Sequence, residues 1–126
     1  MFDTHCHLDK LFDSSNSINA MNETTANSIP LVLTDPTHYF LSVSTSIFDW
    51  QSVLDISARF ENVYAALGLH PWFVTKESLT TLDELLNLVY GNDIHAIGEI
   101  GLDFSNEYKV NSELQLEAFT KQLAIA

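Results

Sequence analysis

Cysteine is nearly absent from this sequence, and so are the features that direct a chain to or across a membrane. Cys6 is the single cysteine, so no internal disulfide can form. No apolar run approaches the roughly 20 residues that a membrane-spanning helix needs. The N-terminus carries no basic flank followed by an apolar signal core. We therefore expect a reducing, cytoplasmic location and no membrane span.

Basic residues are also scarce. Lysine and arginine together number 5, against 17 aspartates and glutamates, which gives a formal net charge of −12. Proteins that bind nucleic acid through a broad basic face take their affinity from lysine and arginine. Any phosphate substrate would instead have to be held by metal cations and neutral hydrogen-bond donors. This balance is compatible with a metal-centred nuclease and disfavours a sequence-reading DNA-binding module.

The length and the apolar content predict one domain over residues 1–126, because 46% of the 126 residues are apolar and no low-complexity tract interrupts them. Segments typical of strands alternate with helical patterns. The predicted strands span residues 2–6, 39–45, 63–69 and 94–100. Four such alternations predict parallel strands covered by helices. An open, flavodoxin-like sheet would give the same alternation, although no Gly-rich phosphate loop follows the first strand.

Apolar spacing predicts which helix faces are buried, and residues 9–28 are predicted as loop with at most a weak helix at Ile18 and Met21. The predicted buried positions are Trp50, Val53, Leu54, Ser57 and Ala58 in one helix, Leu79, Leu82, Leu85, Leu86 and Val89 in the next, and Leu116, Phe119 and Leu123 in the last. Thr81 with Glu84, and Ser112 with Gln115, have the spacing of capping boxes.

The opening stretch, Met1-Phe2-Asp3-Thr4-His5-Cys6-His7-Leu8-Asp9, has the spacing of a metal site. Side chains alternate across a strand, so His5 and His7 leave the same face and can converge on one ion. A His-x-His pair also occurs by chance in exposed loops. Two further motifs, Gly68-Leu69-His70-Pro71 and Gly98-Glu99-Ile100-Gly101-Leu102-Asp103, each close a short apolar run and favour the metal site.

With these three motifs in this order, the sequence resembles the TatD family of metal-dependent deoxyribonucleases. The resemblance implies an α/β fold of the TIM-barrel type, in which catalytic groups lie at the carboxyl ends of the strands. A complete barrel needs about 250 residues, with roughly 200 as a lower bound. We therefore expect residues 1–126 to form the first half of a barrel, four β/α units, without a second domain.

The resemblance also implies a site and a reaction. His5 and His7 would bind one divalent ion, Glu99 would bridge to a second, and His70 would contact a substrate phosphate. The two ions, Mg, Mn or Zn, would hydrolyse a DNA phosphodiester. The family completes its site with two histidines and an aspartate from later strands, so we expect negligible DNase activity from these 126 residues alone.

Other candidate residues carry two interpretations each. Asp3 and Asp103 either orient metal ligands or are solvated carboxylates. Cys6, on the opposite face from the two histidines, is expected to pack as a small buried side chain. Trp72 and Phe73 either floor a substrate groove by stacking on a base or pack over the barrel mouth. His38 and His95 have no motif around them and are expected at the end of the barrel away from the metals.

Two functional alternatives stay open at the level of sequence. The wider amidohydrolase group, which acts on amides or nucleobases, also opens with His-x-His on its first strand. Many of its members bridge two metals through a modified lysine on strand four, where this chain has Glu99. The other alternative is a non-catalytic half-barrel that associates through its open edges, since unpaired edge strands tend to pair with other chains.

Overall fold

Four parallel strands in sequential order form the centre of the molecule. We describe residues 1–12 and 31–126 of the protein from a computed structural model. The strands are β1 (Phe2–Cys6), β2 (Tyr39–Val43), β3 (Val63–Leu67) and β4 (Ala96–Ile97), and their spatial order is β1-β2-β3-β4. A flavodoxin-like sheet would place its second strand outside the first. The sequential order confirms the predicted half-barrel.

Helices and short turns connect the strands. The helices whose bounds both lie within the described residues are α1 (Leu8–Phe12), α2 (Ile47–Arg59), α3 (Lys76–Leu79), α4 (Leu82–Gly91) and α5 (Ser112–Ile125). Two 3₁₀ turns, Pro71–Phe73 and Lys109–Asn111, precede α3 and α5. Residues 9–12 of the loop predicted over 9–28 belong to α1 instead, and residues 13–28 lie outside the described residues. Within the described parts of the chain, no helix is long and apolar enough to cross a membrane.

The core lies between the sheet and its helices in two clusters. The larger cluster joins α2, β3, α4 and α5 and contains Trp50, Val53, Leu54, Ala65, Leu67, Leu69, Val74, Leu82, Leu85 and Ala118. The smaller cluster contains Leu8, Leu33, Phe40, Ile56, Phe60 and Val63, with Cys6 packed against it. The indole Nε1 of Trp50 donates to the Gly68 carbonyl at 2.8 Å. This bond ties α2 to the carboxyl end of β3.

The amino end of α2 is held by a buried carboxylate. Asp49 accepts hydrogen bonds from the backbone N–H of Thr45 at 3.0 Å, from the Thr45 hydroxyl at 2.7 Å and from the backbone N–H of Ser46 at 3.0 Å. Free N–H groups at a helix start favour such an acceptor. The loop that leaves β2 is therefore fixed at the same edge of the sheet as the strand ends.

Both predicted capping boxes are wrong. The Thr81 hydroxyl donates to the Ser78 carbonyl at 2.7 Å, and the reciprocal cap lies earlier, between Thr75 and Ser78. A separate short helix, α3, therefore precedes α4. Gln115 does not reach back to the start of α5, because its side-chain amide is buried against the loop that contains Asp103.

The buried faces of two helices also differ from those predicted. In α5 the buried residues are Gln115, Ala118 and Gln122, whereas Leu116 and Leu123 are each 53% exposed. In α2, Ile56 is buried and Ala58 is exposed. Apolar spacing misassigns α5 because two of its buried positions are glutamines. The first strand has its predicted bounds, whereas β2 and β3 each end two residues earlier than predicted and β4 is regular only over Ala96–Ile97.

Candidate metal centre

Three predicted side chains meet at the carboxyl ends of the outer strands. His5 lies in β1, His7 follows it, and Glu99 lies two residues after β4. The Nε2 atom of His5 is 3.3 Å from one Glu99 carboxylate oxygen, and the Nε2 atom of His7 is 3.4 Å from the other. One ligand atom from each residue lies within 4.8 Å of the other two. The fold therefore brings together His7 and Glu99, which are more than 90 residues apart in the sequence.

A backbone carbonyl orients His7. The Nδ1 atom of His7 lies 3.1 Å from the carbonyl oxygen of Val43, at the end of β2. A carbonyl only accepts, so Nδ1 must carry the proton. The lone pair of the ring is then on Nε2, which is the atom that faces Glu99. Histidines that bind metals are commonly oriented by such a bond.

The backbone around Glu99 is fixed by the two preceding strands. The Glu99 N–H donates to the Ser44 carbonyl at 2.8 Å, and the Gly98 N–H donates to the Leu67 carbonyl at 2.9 Å. The Ser44 hydroxyl in turn accepts from the Gly68 N–H at 2.9 Å. Buried Ser44 thus connects the ends of β2, β3 and β4. Glu99 is held on a rigid part of the scaffold.

His70 lies beside the three residues but is held in the opposite tautomer. Its Nδ1 accepts a hydrogen bond from the Trp72 backbone N–H at 3.2 Å, so the ring proton is on Nε2. Burial lowers the pKa of His70, although the carboxylates of Glu99 and Asp103 oppose that shift. A neutral ring with an Nε2–H group is a hydrogen-bond donor, as suits a group that contacts phosphate oxygens.

Asp3 and Asp103, the two aspartates with two interpretations each, accept hydrogen bonds from neighbouring groups. Asp3 accepts from the His5 backbone N–H at 3.0 Å, and Asp103 accepts from the indole Nε1 of Trp72 at 2.6 Å. The hydrogen bonds from Trp72 and Ser105 lower the pKa of Asp103. Asp3 therefore restrains the backbone of a candidate ligand, whereas Asp103 holds an aromatic ring at the edge of the site.

The side chains of Cys6 and of the other two histidines do not join the three-residue cluster. Cys6 is half-buried, its thiol donates to the Leu41 carbonyl at 3.3 Å, and burial with the charges of Asp3 and Asp9 raises its pKa to about 11. His38 immediately precedes β2 and lies 3.1 Å from Asp35. His95 immediately precedes β4 and packs on the Tyr64 ring. Both histidines lie at the amino ends of their strands.

The structure adds contacts that the motifs do not contain. These are the Val43 carbonyl on His7, the stacking of Tyr108 on Trp72, and the bonds of Gln115 and Gln122 to the backbone beside the site. A carbonyl has no sequence signal, and Tyr108 lies in an irregular loop. The glutamines carry a signal in principle, since two uncharged polar residues seven apart lie on one face of a helix.

Comparisons with known proteins agree with this arrangement. The model of the "TatD related DNase" family matches residues 2–126. A "3'-5' ssDNA/RNA exonuclease TatD" of Salmonella typhimurium is 33% identical over 86 residues, which cover 68% of this chain and 33% of that protein. An uncharacterized metal-dependent hydrolase of Buchnera aphidicola is 26% identical over 134 residues, and this alignment covers 100% of this chain and 48% of that protein.

A solved structure shows the same fold. The crystal structure of YjjV, a TatD homolog from Escherichia coli K12, matches with a TM-score of 0.69 and 26% sequence identity, over 100% of this chain and 46% of that one. The chain thus spans less than half the length of these relatives. The match of the family model across nearly all of the sequence identifies the chain as a member of the TatD related DNase family.

Proposed function

We propose that these residues form the N-terminal half of a metal-dependent hydrolase that cleaves DNA phosphodiesters with two divalent ions. The observation that carries the proposal is the meeting of His5, His7 and Glu99 at the carboxyl ends of β1 and β4. We further propose that residues 1–126 are one half-barrel unit and that later strands supply further ligands. A cytoplasmic location, which the lone cysteine favours, belongs to the same proposal.

The three side chains fit a cation in chemistry and spacing. Imidazole nitrogen and carboxylate oxygen are ordinary ligands of zinc and of related divalent metals. Two ligand atoms about 2.1 Å from a tetrahedral ion lie ~3.4 Å apart. The separations of 3.3 and 3.4 Å between the imidazole nitrogens and the Glu99 oxygens agree with that value. The tautomer of His7 leaves its Nε2 lone pair free for a metal.

Each side chain has a separate role in the proposal. His5 and His7 would hold one ion, and Glu99 would reach a second, because the two oxygens of a carboxylate can each bind one cation. His70, with its proton on Nε2, donates to a phosphate oxygen and stays neutral because burial lowers its pKa. When bound, two divalent ions would lower the pKa of a water molecule and stabilise the attacking and leaving oxygens.

The charge of the chain also supports a metal-centred reaction. Among the five basic residues, Lys10 lies 2.7 Å from the Asp9 carboxylate and Lys121 lies 2.8 Å from that of Glu117. A substrate phosphate approaching a chain of net charge −12 meets repulsion. Cations at the three-residue centre would remove that repulsion where the phosphate binds.

Metal binding to the 126-residue chain tests the proposal. We expect the Glu99→Gln substitution to weaken Mn²⁺ or Zn²⁺ binding, measured by isothermal titration calorimetry, by at least about tenfold, because it removes a charged ligand. Glu84→Gln is the matched control, since Glu84 is an exposed carboxylate on α4. Circular dichroism checks that both variants fold. Equal metal affinity in the wild type and in Glu99→Gln would contradict the proposed centre.

A further inference from the structure

A partly exposed aromatic pair lies beside the candidate metal centre. The rings of Trp72 and Tyr108 are stacked, with centroids 5.1 Å apart and planes 10° from parallel. Trp72 is still 52% exposed, although Tyr108 covers one face of its indole. Single exposed apolar side chains are common, whereas neighbouring apolar side chains that form a continuous exposed patch mark candidate binding surfaces. We call Trp72, Tyr108 and Asp103 the aromatic platform.

Asp103 fixes the orientation of the indole. Its Oδ2 accepts from the Trp72 Nε1 at 2.6 Å, and its Oδ1 accepts from the Ser105 backbone N–H at 2.8 Å. The Asp103 backbone is itself held by Gln115, which accepts from its N–H at 2.7 Å and donates to its carbonyl at 2.9 Å. The platform is therefore preorganised, and a ligand would lose little entropy in ordering it.

The platform is in direct contact with the site. The rings of Trp72 and His70 pack edge to face with centroids 4.9 Å apart, and His70 lies within the field of Glu99. Trp72 and Phe73 also line a cleft of about 400 Å³, whose other walls include Ile47, Phe48 and Leu69. A flat aromatic ligand attached to a phosphate at the centre would meet the exposed indole of Trp72, which packs against His70.

The composition of the chain also favours stacking on aromatic side chains as a way to bind a nucleobase. Proteins that bind single-stranded nucleic acid combine basic grooves with aromatic side chains on which bases stack. This chain has 5 basic and 17 acidic residues, too few basic side chains to line such a groove. Neutral contacts to the base must then supply the affinity that cationic contacts to phosphates supply elsewhere.

We propose that the aromatic platform is a nucleobase subsite, on which a base of a single-stranded nucleic acid stacks against Trp72 while its phosphate lies at the metal centre. Asp103 is a positioning residue that acts through the indole. This inference rests on the proposed function, because the metal centre is what places the phosphate. It adds a recognition element for the base, which the hydrolysis of a phosphodiester does not by itself require.

The test compares two ligands that differ only in the base. Calorimetry with Mn²⁺ present measures the binding of deoxyadenosine 5'-monophosphate and of deoxyribose 5-phosphate to the 126-residue chain. We expect the nucleotide to bind about 5- to 150-fold more tightly, the factor that corresponds to ~1–3 kcal/mol of base–aromatic stacking. Trp72→Ala should abolish that difference. Tyr90→Ala, which removes another exposed aromatic ring on α4, should preserve it.

Two variants of Asp103 test its positioning role. Asp103→Asn keeps an oxygen that can accept from the indole Nε1, so we expect it to retain most of the preference for the nucleotide. Asp103→Ala removes the acceptor and should reduce that preference, while the affinity for deoxyribose 5-phosphate stays within about twofold. A loss of both affinities in parallel would indicate a purely structural role and would overturn this part of the inference.

The outcomes separate the subsite from the proposed function. Equal binding of the two phosphates to the wild type overturns the subsite and leaves the metal centre standing. Failure of both to bind also overturns the subsite, and a titration with Mn²⁺ alone then shows whether the metal centre has failed with it. A preference for the nucleotide that disappears in Trp72→Ala and persists in Tyr90→Ala supports the inference.

Discussion

At the scale of single residues, Gly68 determines how close Glu99 comes to the histidines. A Cβ atom on Gly68 would lie 2.7 Å from the Glu99 carbonyl oxygen and 2.7 Å from the Gly98 carbonyl carbon. Both are backbone atoms, which cannot rotate away. We expect Gly68→Ala to lower the free energy of unfolding by about 1–3 kcal/mol, as overpacking does, and to weaken metal binding. Urea unfolding and calorimetry measure the two effects.

Gly91→Ala is the control for this substitution. A Cβ atom at Gly91 would have no neighbour within 4 Å, and Gly91 is the last residue of α4. Alanine there should leave metal affinity unchanged and raise stability by up to ~1 kcal/mol, because it restricts the unfolded chain. If Gly68→Ala behaved like Gly91→Ala, the close approach of β3 and β4 would not be what positions Glu99.

At the scale of elements, α5 supports the site through two buried glutamines. Gln122 accepts from the Leu69 N–H at 2.6 Å and donates to the Leu69 carbonyl at 3.2 Å. Gln115 makes the same pair of bonds with Asp103. Leu69 directly precedes His70, and Asp103 holds Trp72. One helix therefore fixes the backbone next to His70 and the backbone of Asp103, beside the candidate metal centre.

Gln122→Leu should destabilise the protein more than its change in size suggests. Leucine fills a similar volume but leaves the N–H and carbonyl of Leu69 without side-chain partners in a buried position. Each unsatisfied buried group costs about 1–3 kcal/mol, so we expect a loss of at least ~2 kcal/mol in urea unfolding. Gln51→Leu, on the exposed face of α2, should cost little. Similar losses in both variants would contradict this account of α5.

The same helix shows where prediction from sequence stops. The starts of the first three strands, the alternation of elements and the meeting of His5, His7 and Glu99 follow from apolar runs and motifs, because each of these signals is a short stretch of consecutive residues. The buried face of α5 does not, because apolar spacing points to Leu116 and Leu123, whereas two glutamines bonded to distant backbone groups occupy that face. The contact of Val43 with His7 is likewise a backbone contact, which no side-chain pattern specifies.

At the scale of the whole molecule, one face of the sheet carries aromatic rings that are partly exposed to solvent. Phe40 and Val63 pack towards the helices, so Tyr39 and Tyr64, next to them in their strands, point to the opposite face. Phe2 lies within 6.4 Å of both tyrosine rings, measured between centroids. Phe2 is 57% and Tyr39 is 42% exposed. In a closed barrel this face would be interior.

We expect this aromatic face to drive self-association of the 126-residue chain. Covering a large apolar side chain is worth about 1.5–3 kcal/mol, so replacing Phe2 and Tyr39 by serine should weaken association on the order of 100-fold in sedimentation or light scattering. The matched pair is Phe48→Ser with Tyr90→Ser, which are more exposed but lie on helices. Two copies of net charge −12 repel each other, so added salt should strengthen association of the wild type. A monomer at every concentration and salt level, or equal weakening by both pairs, would show that the open face does not drive association.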